Sequence, residues 1–303
     1  MSNWPLILHI NYFEPGVELR DACRIARELG ADGIEFRQRP GGFAGTSEEY
    51  LDALSSALDA FPLDYVSFGA PGPNLMLPSA LDRQREVQRC IAFYNEAAKR
   101  YGTTLFNSFT GGLSNPDPSV SPYDSAAHGS AIAKEEHWQW AVEGFQSLAR
   151  EAKTNGYQLG FESHGHYLHD SIASCVRLVQ DIGSPEVGVI WDHANLLLVE
   201  NPPTFASSIS DLGRGLFAVH LKNWLLPPRF HPVICLLEEG ILNVREQLRL
   251  LRDSGFQGPI CVESPRNGDR LNFVRRDVAC LNDLMHELGM RWSLQYPPQN
   301  DSH

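Results

Sequence analysis

The sequence has no CxxC pair among its six cysteines, no apolar run long enough to cross a bilayer, and no surplus of positive charge. Each absence removes a class of function. Cys23, Cys90, Cys175, Cys235, Cys261 and Cys280 fall at no finger-like spacing, so a zinc ribbon and a dithiol redox motif are both excluded, and the six are expected to be buried thiols of a reducing compartment. No apolar stretch approaches the roughly 18 residues of a spanning helix. The start, MSNWPLILHINYF, has no basic region ahead of a short apolar run broken by His9 and Asn11, so a cytoplasmic protein with no membrane partner is expected. Twenty-five Lys and Arg against 37 Asp and Glu leave a net charge of −12, the wrong sign for a nucleic-acid partner. No GxGxxG follows the first strand candidate and no GxxxxGK[ST] occurs, which removes the usual phosphate-cradling loops.

What is present is a chain of 303 residues, 43% hydrophobic and 20% charged, able to bury a sizeable core. Short β-rich runs alternate with helical patterns along its length. The strand candidates are Leu6 to Phe13, Gly33 to Arg37, Leu63 to Gly69, Thr103 to Phe109, Tyr157 to Ser163, Val187 to Asp192, Leu216 to Lys222 and Pro259 to Ser264. Between them, LRDACRIARELG, DRQREVQRCIAFYNEAAKRYG, HWQWAVEGFQSLAREAKTNG and VREQLRLLRDSGF show i, i+3, i+4 apolar spacing, and several end at a Gly suited to a helix C-cap. Strand and helix alternating every 35 residues or so is the βαβ rhythm, which right-handed crossovers turn into a parallel sheet. Eight such units predict one (β/α)8 TIM barrel domain over residues 1–303, with 294–303 as a C-terminal tail. Gly111 to Glu136 breaks the rhythm. This Gly, Ser, Pro and Asp-rich stretch follows the fourth strand and is too irregular for a helix, so it is expected to be a long βα loop, either a lid over substrate or a solvated insertion.

The strands of a parallel barrel should be apolar, with polar exceptions at their C-terminal ends if an active site lies there. Strands five to eight run YQLGFESHGH, VGVIWDHAN, LFAVHLKN and GPICVESP, each apolar first and then carrying Glu162, Asp192, His220 and Glu263. Three carboxylates and an imidazole at corresponding strand ends suit one divalent cation, Mn²⁺ first, with Mg²⁺, Co²⁺ or Zn²⁺ as alternatives. Any one of them alone would more simply be a hydrogen-bonded loop residue or a helix cap; four on consecutive strands would be an odd coincidence. Period-two alternation places Glu162, His164 and His166 on one face for as long as the strand stays extended, and likewise His220 with Lys222. His9, Asn11, Glu35, Arg37, Ser67 and Asn107 on the first four strands can line a hydroxyl-rich ligand or bond neighbouring loops. His193 should face away from Asp192's side of the strand.

The runs GFESHGH, VIWDHANL, AVHLKN and CVESP resemble the xylose isomerase-like barrels, a sugar isomerase/epimerase superfamily that also contains inosose dehydratases and type-IV apurinic endonucleases. The resemblance implies that Glu162, Asp192, His220 and Glu263 bind one divalent ion and that the two glutamates also act as the acid/base pair. A carboxylate would remove the proton next to a polarised substrate carbonyl, giving an enediolate. His164 and Lys222 would orient or polarise oxygens, and His9, Asn107, His166, Asn195 and Arg266 would contact substrate. Two positions depart from the family pattern. Asn195 stands where many sugar epimerases have a histidine, and Asn223 where His-x-Lys-Asp is frequent. Strands three and four carry no histidine, so the endonuclease's extra ligands are missing. The expected activity is that of a metal-dependent isomerase or epimerase on a keto-sugar, sugar derivative or polyol. The alternative is a lyase on the same scaffold, dehydrating an inosose or dehydroshikimate-like compound or eliminating from a 3-keto-glycoside; a non-catalytic sugar-binding barrel is the third reading. Relatives suggest a homo-oligomer, a dimer or tetramer.

Overall fold

The computed structural model of the chain describes residues 3–14, 16–38, 45–69, 72–199, 201–227, 231–264 and 266–293; the tail expected at 294–303 lies outside the described residues. In chain order the elements are β1 (Asn3–Trp4), β2 (Leu6–His9), α1 (Leu19–Glu28), β3 (Gly33–Arg37), α2 (Ser47–Ala60), β4 (Tyr65–Gly69), α3 (Ala80–Tyr101), β5 (Leu105–Asn107), α4 (Glu135–Asn155), β6 (Gln158–Glu162) and α5 (Ile172–Ile182). There follow β7 (Val187–Asp192), α6 (Phe205–Leu212), β8 (Leu216–Leu221), β9 (Asn223–Leu225), β10 (Val233–Cys235), α7 (Val244–Asp253), β11 (Ile260–Val262), α8 (Arg270–Glu287) and β12 (Arg291–Trp292).

The apolar strands close on themselves in the order β11, β2, β3, β4, β5, β6, β7, β8, every neighbouring pair parallel. This is the (β/α)8 barrel the alternating pattern predicts. Helices start and stop where local chemistry satisfies their free backbone groups. Thr46 caps α2 in a reciprocal box with Glu49, and Gly102 and Gly156 end α3 and α4 at φ 65° and 76°, a left-handed conformation that side chains disfavour.

Two apolar layers result. The larger lies between sheet and helices and contains Phe36, Phe68, Phe106, Phe145, Phe161 and Trp191. A smaller cluster of Leu105, Ile190 and Ala218 is separate from it. Each of these three precedes by two residues a polar group, Asn107, Asp192 or His220, so alternation puts them on the inward face one layer below the barrel mouth. The N-terminal end is closed by β1 pairing with β12, by the Trp4 indole donating to the Phe256 carbonyl (2.8 Å), and by Asp32, whose two oxygens accept from Leu6 N–H (2.6 Å) and Ser293 Oγ (2.7 Å).

Several strands are shorter than expected. The first ends at His9 and turns into a 3-10 segment at Ile10–Tyr12, while the fifth, seventh and eighth stop at Glu162, Leu221 and Val262. Lys222 and Glu263 therefore lie just past their strands. The hairpin β9/β10 is an addition the period pattern did not announce. Residues 111–136 are mostly irregular, as expected, but hold 3-10 turns at Ser125–Ala127 and Gly129–Ile132, and their last two residues begin α4. The six cysteines are free, five of them buried. No described helix is long and apolar enough to cross a membrane.

Candidate metal centre

Inward-facing positions at the C-terminal ends of four adjacent strands supply the polar groups. Glu162 ends β6, Asp192 ends β7, His220 is the penultimate residue of β8 and Glu263 follows β11. Parallel register places Asp192 opposite His220. One ligand atom from each of the four lies within 4.8 Å of the others, and all four residues are buried. This cluster is made of the four strand-end groups singled out in the sequence.

Lys222 enters the same space. Its Nζ is 2.7 Å from Asp192 Oδ2 and 3.9 Å from Glu162 Oε1, and it donates to Glu263 Oε1. Burial alone would lower this ammonium's pKa, but Asp192, Glu263 and Glu162 override that and hold it above the usual lysine range. Asp192 and Glu263 share this one cation. Burial and the neighbouring carboxylates push Asp192 well above the usual carboxylate range, against the pull of Lys222. For Glu263 burial acts in the same direction but is outweighed by Lys222, His9 and His220, and the group is held low. His220 is raised well above an ordinary imidazole: burial opposes the charge, and Glu35, Cys261 and Glu162 prevail.

The donor set fits a hard or borderline divalent ion, three carboxylates and one imidazole being what Mn²⁺, Mg²⁺, Co²⁺ and Zn²⁺ all accept. Two buried atoms bear on that fit. His220 Nδ1 and Asp192 Oδ2 make no hydrogen bond; the first faces Glu162 Oε2 at 3.4 Å and the second faces the Lys222 ammonium. An ion would satisfy both.

The surrounding amides hold the glutamates. Asn195 Nδ2 donates to Glu162 Oε1 (2.9 Å) and to the Ser163 carbonyl (3.0 Å), so it is engaged with a ligand carboxylate. Asn107 Nδ2 donates to Glu162 Oε2 (3.1 Å) and Glu35 Oε1 (3.2 Å). Asn11 Nδ2 reaches Glu263 Oε2 at 3.3 Å, and Ser163 Oγ bonds the Asp192 backbone in both directions. His9 sits at the edge of the cluster, its Nδ1 accepting from Asn11 N–H and its Nε2 3.8 Å from Glu35; burial keeps it below the ordinary imidazole range.

Other expected positions are placed differently. The strand does not stay extended beyond Glu162, so the common face expected for Glu162, His164 and His166 does not exist. His164 lies between Phe109 and Tyr167 with Nδ1 turned to the Gly165 carbonyl. His166 adopts φ 69°, and both its nitrogens are taken by the 111–136 segment: Nδ1 pairs with Ser114 Oγ (2.9 Å) and Nε2 donates to the Pro122 carbonyl (2.8 Å). It thus straps the loop to the turn after β6. Arg266 lies flat on Phe273 of α8, 3.6 Å from the ring centre, with Nε and Nη2 buried and lacking an acceptor among the described residues. His193 turns to Phe205 and Trp191, away from the cluster, as its parity requires.

Three contributors carried no decisive sequence signal. Glu35 was one of many strand polar groups, Cys261 looked like an inert thiol although it groups with Glu35 and His220, and His169 holds the Glu162 backbone carbonyl from seven residues away. Only tertiary proximity distinguishes them.

The sequence model of the xylose isomerase-like TIM barrel family matches residues 23–284. Among solved structures, a xylose isomerase-like TIM barrel protein from Mycobacterium smegmatis in complex with magnesium superposes with TM-score 0.71 at 20% identity, over 95% of this chain and 99% of that one. D-allulose 3-epimerase from Methylomonas sp. gives 0.72 at 15% identity, over 94% and 99%. A probable 3-DHS dehydratase of petrobactin synthesis from Bacillus anthracis gives 0.70 at 15%, over 92% and 98%. At these identities the likeness is one of fold. Among curated proteins, an uncharacterized protein of Methanocaldococcus jannaschii is 25% identical over 116 residues, spanning 37% of this chain and 39% of that protein.

Proposed function

We propose that this chain, which belongs to the xylose isomerase-like TIM barrel family, is a divalent-metal-dependent isomerase or epimerase of a keto-sugar, sugar derivative or polyol. The observation that carries the reading is the convergence of Glu162, Asp192, His220 and Glu263 within 4.8 Å, with both glutamates restrained by amide donors. That the same fold serves an epimerase and a probable dehydratase supports a reading in which the chemistry lies next to a carbonyl.

When bound, a divalent ion held by these four residues supplies Lewis acidity to a substrate oxygen. The protein's own groups do the rest. Glu162 and Glu263 stand on β6 and beyond β11, separated by β7 and β8, so a substrate between them meets a carboxylate from either side; one, ionised, takes the proton next to the carbonyl, and the other, entering protonated, delivers its own proton to the opposite face. Lys222, anchored on Asp192 and Glu263, presents positive charge where the substrate oxygen becomes negative. Asn195 and Asn107 keep the Glu162 oxygens aimed inward.

The segment 111–136 is read as the lid. It is tied to the β6 end by His166, by Leu113 N–H to the His166 carbonyl (2.7 Å), and by His128 packed on the His166 ring at 4.2 Å. Its far side reaches the β9/β10 turn through Tyr123 stacked on His231 at 4.8 Å. The segment thus joins the turn that follows β6 to His231, between β9 and β10.

Proton NMR of the Mg²⁺-loaded enzyme with ketohexoses such as D-fructose and D-allulose in D₂O tests the activity. Deuterium incorporation with stereoinversion or carbonyl migration, lost in Glu263→Gln, is the expected result. Unchanged turnover in Glu263→Gln defeats the proposal, and loss of water or of an aglycone from a candidate inosose, dehydroshikimate or 3-keto-glycoside transfers it to the lyase reading.

A further inference from the structure

Glu35 belongs to β3, a strand that supplies none of the four ligand candidates and lies three positions around the barrel from β8. Its carboxylate nevertheless joins two of them. Oε2 is 3.1 Å from His220 Nε2, and Oε1 accepts from Asn107 Nδ2, whose other bond goes to Glu162 Oε2. Glu35 thus touches His220 directly and Glu162 through one amide. The site around it is built to hold it. On the neighbouring strand, a Cβ at Gly69 would stand 2.5 Å from Glu35 Oε1, so the absence of a side chain there is what lets the carboxylate lie where it does. Cys261, the register partner of His220, groups with Glu35 and His220 on the same face.

An imidazole offers one nitrogen as donor and leaves a lone pair on the other, and a carboxylate that takes the N–H decides which is which. With Nε2–H on Glu35, the lone pair is left on Nδ1, the buried nitrogen that faces Glu162 and makes no hydrogen bond. We propose that Glu35 is a positioning residue that sets the ring orientation and tautomer of His220 so that Nδ1 is the metal-binding atom, and that Gly69 is the seat for its carboxylate. This rests on the reading above that the four strand-end residues hold a divalent ion.

The test is Mn²⁺ affinity by calorimetry on the full chain after chelator treatment, for wild type, Glu35→Gln, Glu35→Leu and Gly69→Ala. Losing such a partner typically weakens a metal site about 10- to 100-fold, which is the loss expected for Glu35→Leu. Glu35→Gln keeps an acceptor for Nε2–H and should recover part of it. Gly69→Ala should weaken binding with little change in thermal unfolding, because the atom it displaces is the far end of a side chain and not backbone. A long-range ¹H–¹⁵N correlation spectrum of the Mg²⁺-loaded wild type should show His220 protonated at Nε2 only, a readout that a purely structural role would leave free. Wild-type affinity in both Glu35 variants, or a proton on Nδ1 of His220, overturns the proposal; wild-type affinity in Gly69→Ala overturns the role given to Gly69. If wild-type protein takes up no divalent ion, the metal reading itself falls, and the two failures are thereby told apart.

Discussion

At the N-terminal end of the barrel the buried Asp32 has its oxygens taken by a backbone N–H and a serine hydroxyl, neutral donors held by strand pairing and by the close of the chain. At the C-terminal end Glu162, Asp192 and Glu263 crowd around a single ammonium and an imidazole, with Asp192 Oδ2 and His220 Nδ1 left without a hydrogen bond. Both ends bury charge. The first pairs its carboxylate with hydrogen-bond donors; the second leaves like charges facing one another, an arrangement that favours an incoming cation at the expense of fold stability. The structural carboxylate and the proposed ligands are told apart by how their oxygens are satisfied.

That contrast is broken or sharpened by paired substitutions. Asp192→Asn should lower Mn²⁺ affinity about 100-fold or more, since it removes a charged ligand, while leaving the thermal midpoint of chelator-treated protein unchanged or higher. Asp32→Ala should do the reverse, lowering unfolding free energy in urea by about 1–3 kcal/mol through the orphaned buried Leu6 N–H and leaving Mn²⁺ affinity within about twofold. A stability loss from Asp192→Asn matching that from Asp32→Ala would erase the distinction.

Acid should reveal the mouth as the weaker end. His169 is fully buried there, its Nδ1 donating to the Glu162 carbonyl and its Nε2 accepting from Thr110 N–H, and burial pushes its pKa down to about 3. An unfolded histidine protonates near 6.5. Between those values the unfolded chain binds a proton that the folded chain refuses, so this group's contribution is intact above pH 6.5 and declines as pH falls, by up to about 1.4 kcal/mol per pH unit. Urea unfolding at pH 7 and pH 5 should show the loss, and His169→Gln should flatten it; an equal slope in the variant removes His169 as the cause.

The smallest effect concerns the segment 111–136. Tyr123 is exposed and meets His231 through one ring contact, whereas the other end of the segment is held by the His166 hydrogen bonds. Tyr123→Ala should raise amide exchange of residues 115–127 about two- to tenfold, the weight of one aromatic pair, with the barrel strands unaffected. No change in exchange would mean that the segment is held by its His166 end alone.

The fold was legible because its signal is local and repeated: a helix such as 135–155 shows 3.6 periodicity and a terminal Gly, and a strand such as 187–192 an unbroken apolar run. The four proposed ligands were legible for the same reason, each being a polar residue at the end of an apolar strand. Their partners were not. Whether His166 faces the mouth depends on where the strand ends, and it ends at Glu162, four residues short. Whether Arg266 faces the mouth depends on Phe273, a helix residue that gave no hint of stacking. Asn195 was read as a substrate contact, but its bonds run to Glu162 and Ser163, a geometry set by the tight turn after β7.

Periodicity and strand-end chemistry, which are properties of neighbouring residues, were enough by themselves to determine a closed barrel and to single out Glu162, Asp192, His220 and Glu263. The tertiary structure alone decided which groups lie around them. Closing the sheet brings Glu35 within 3.1 Å of His220 across 185 positions of sequence, and no local pattern encodes a contact between strands three places apart.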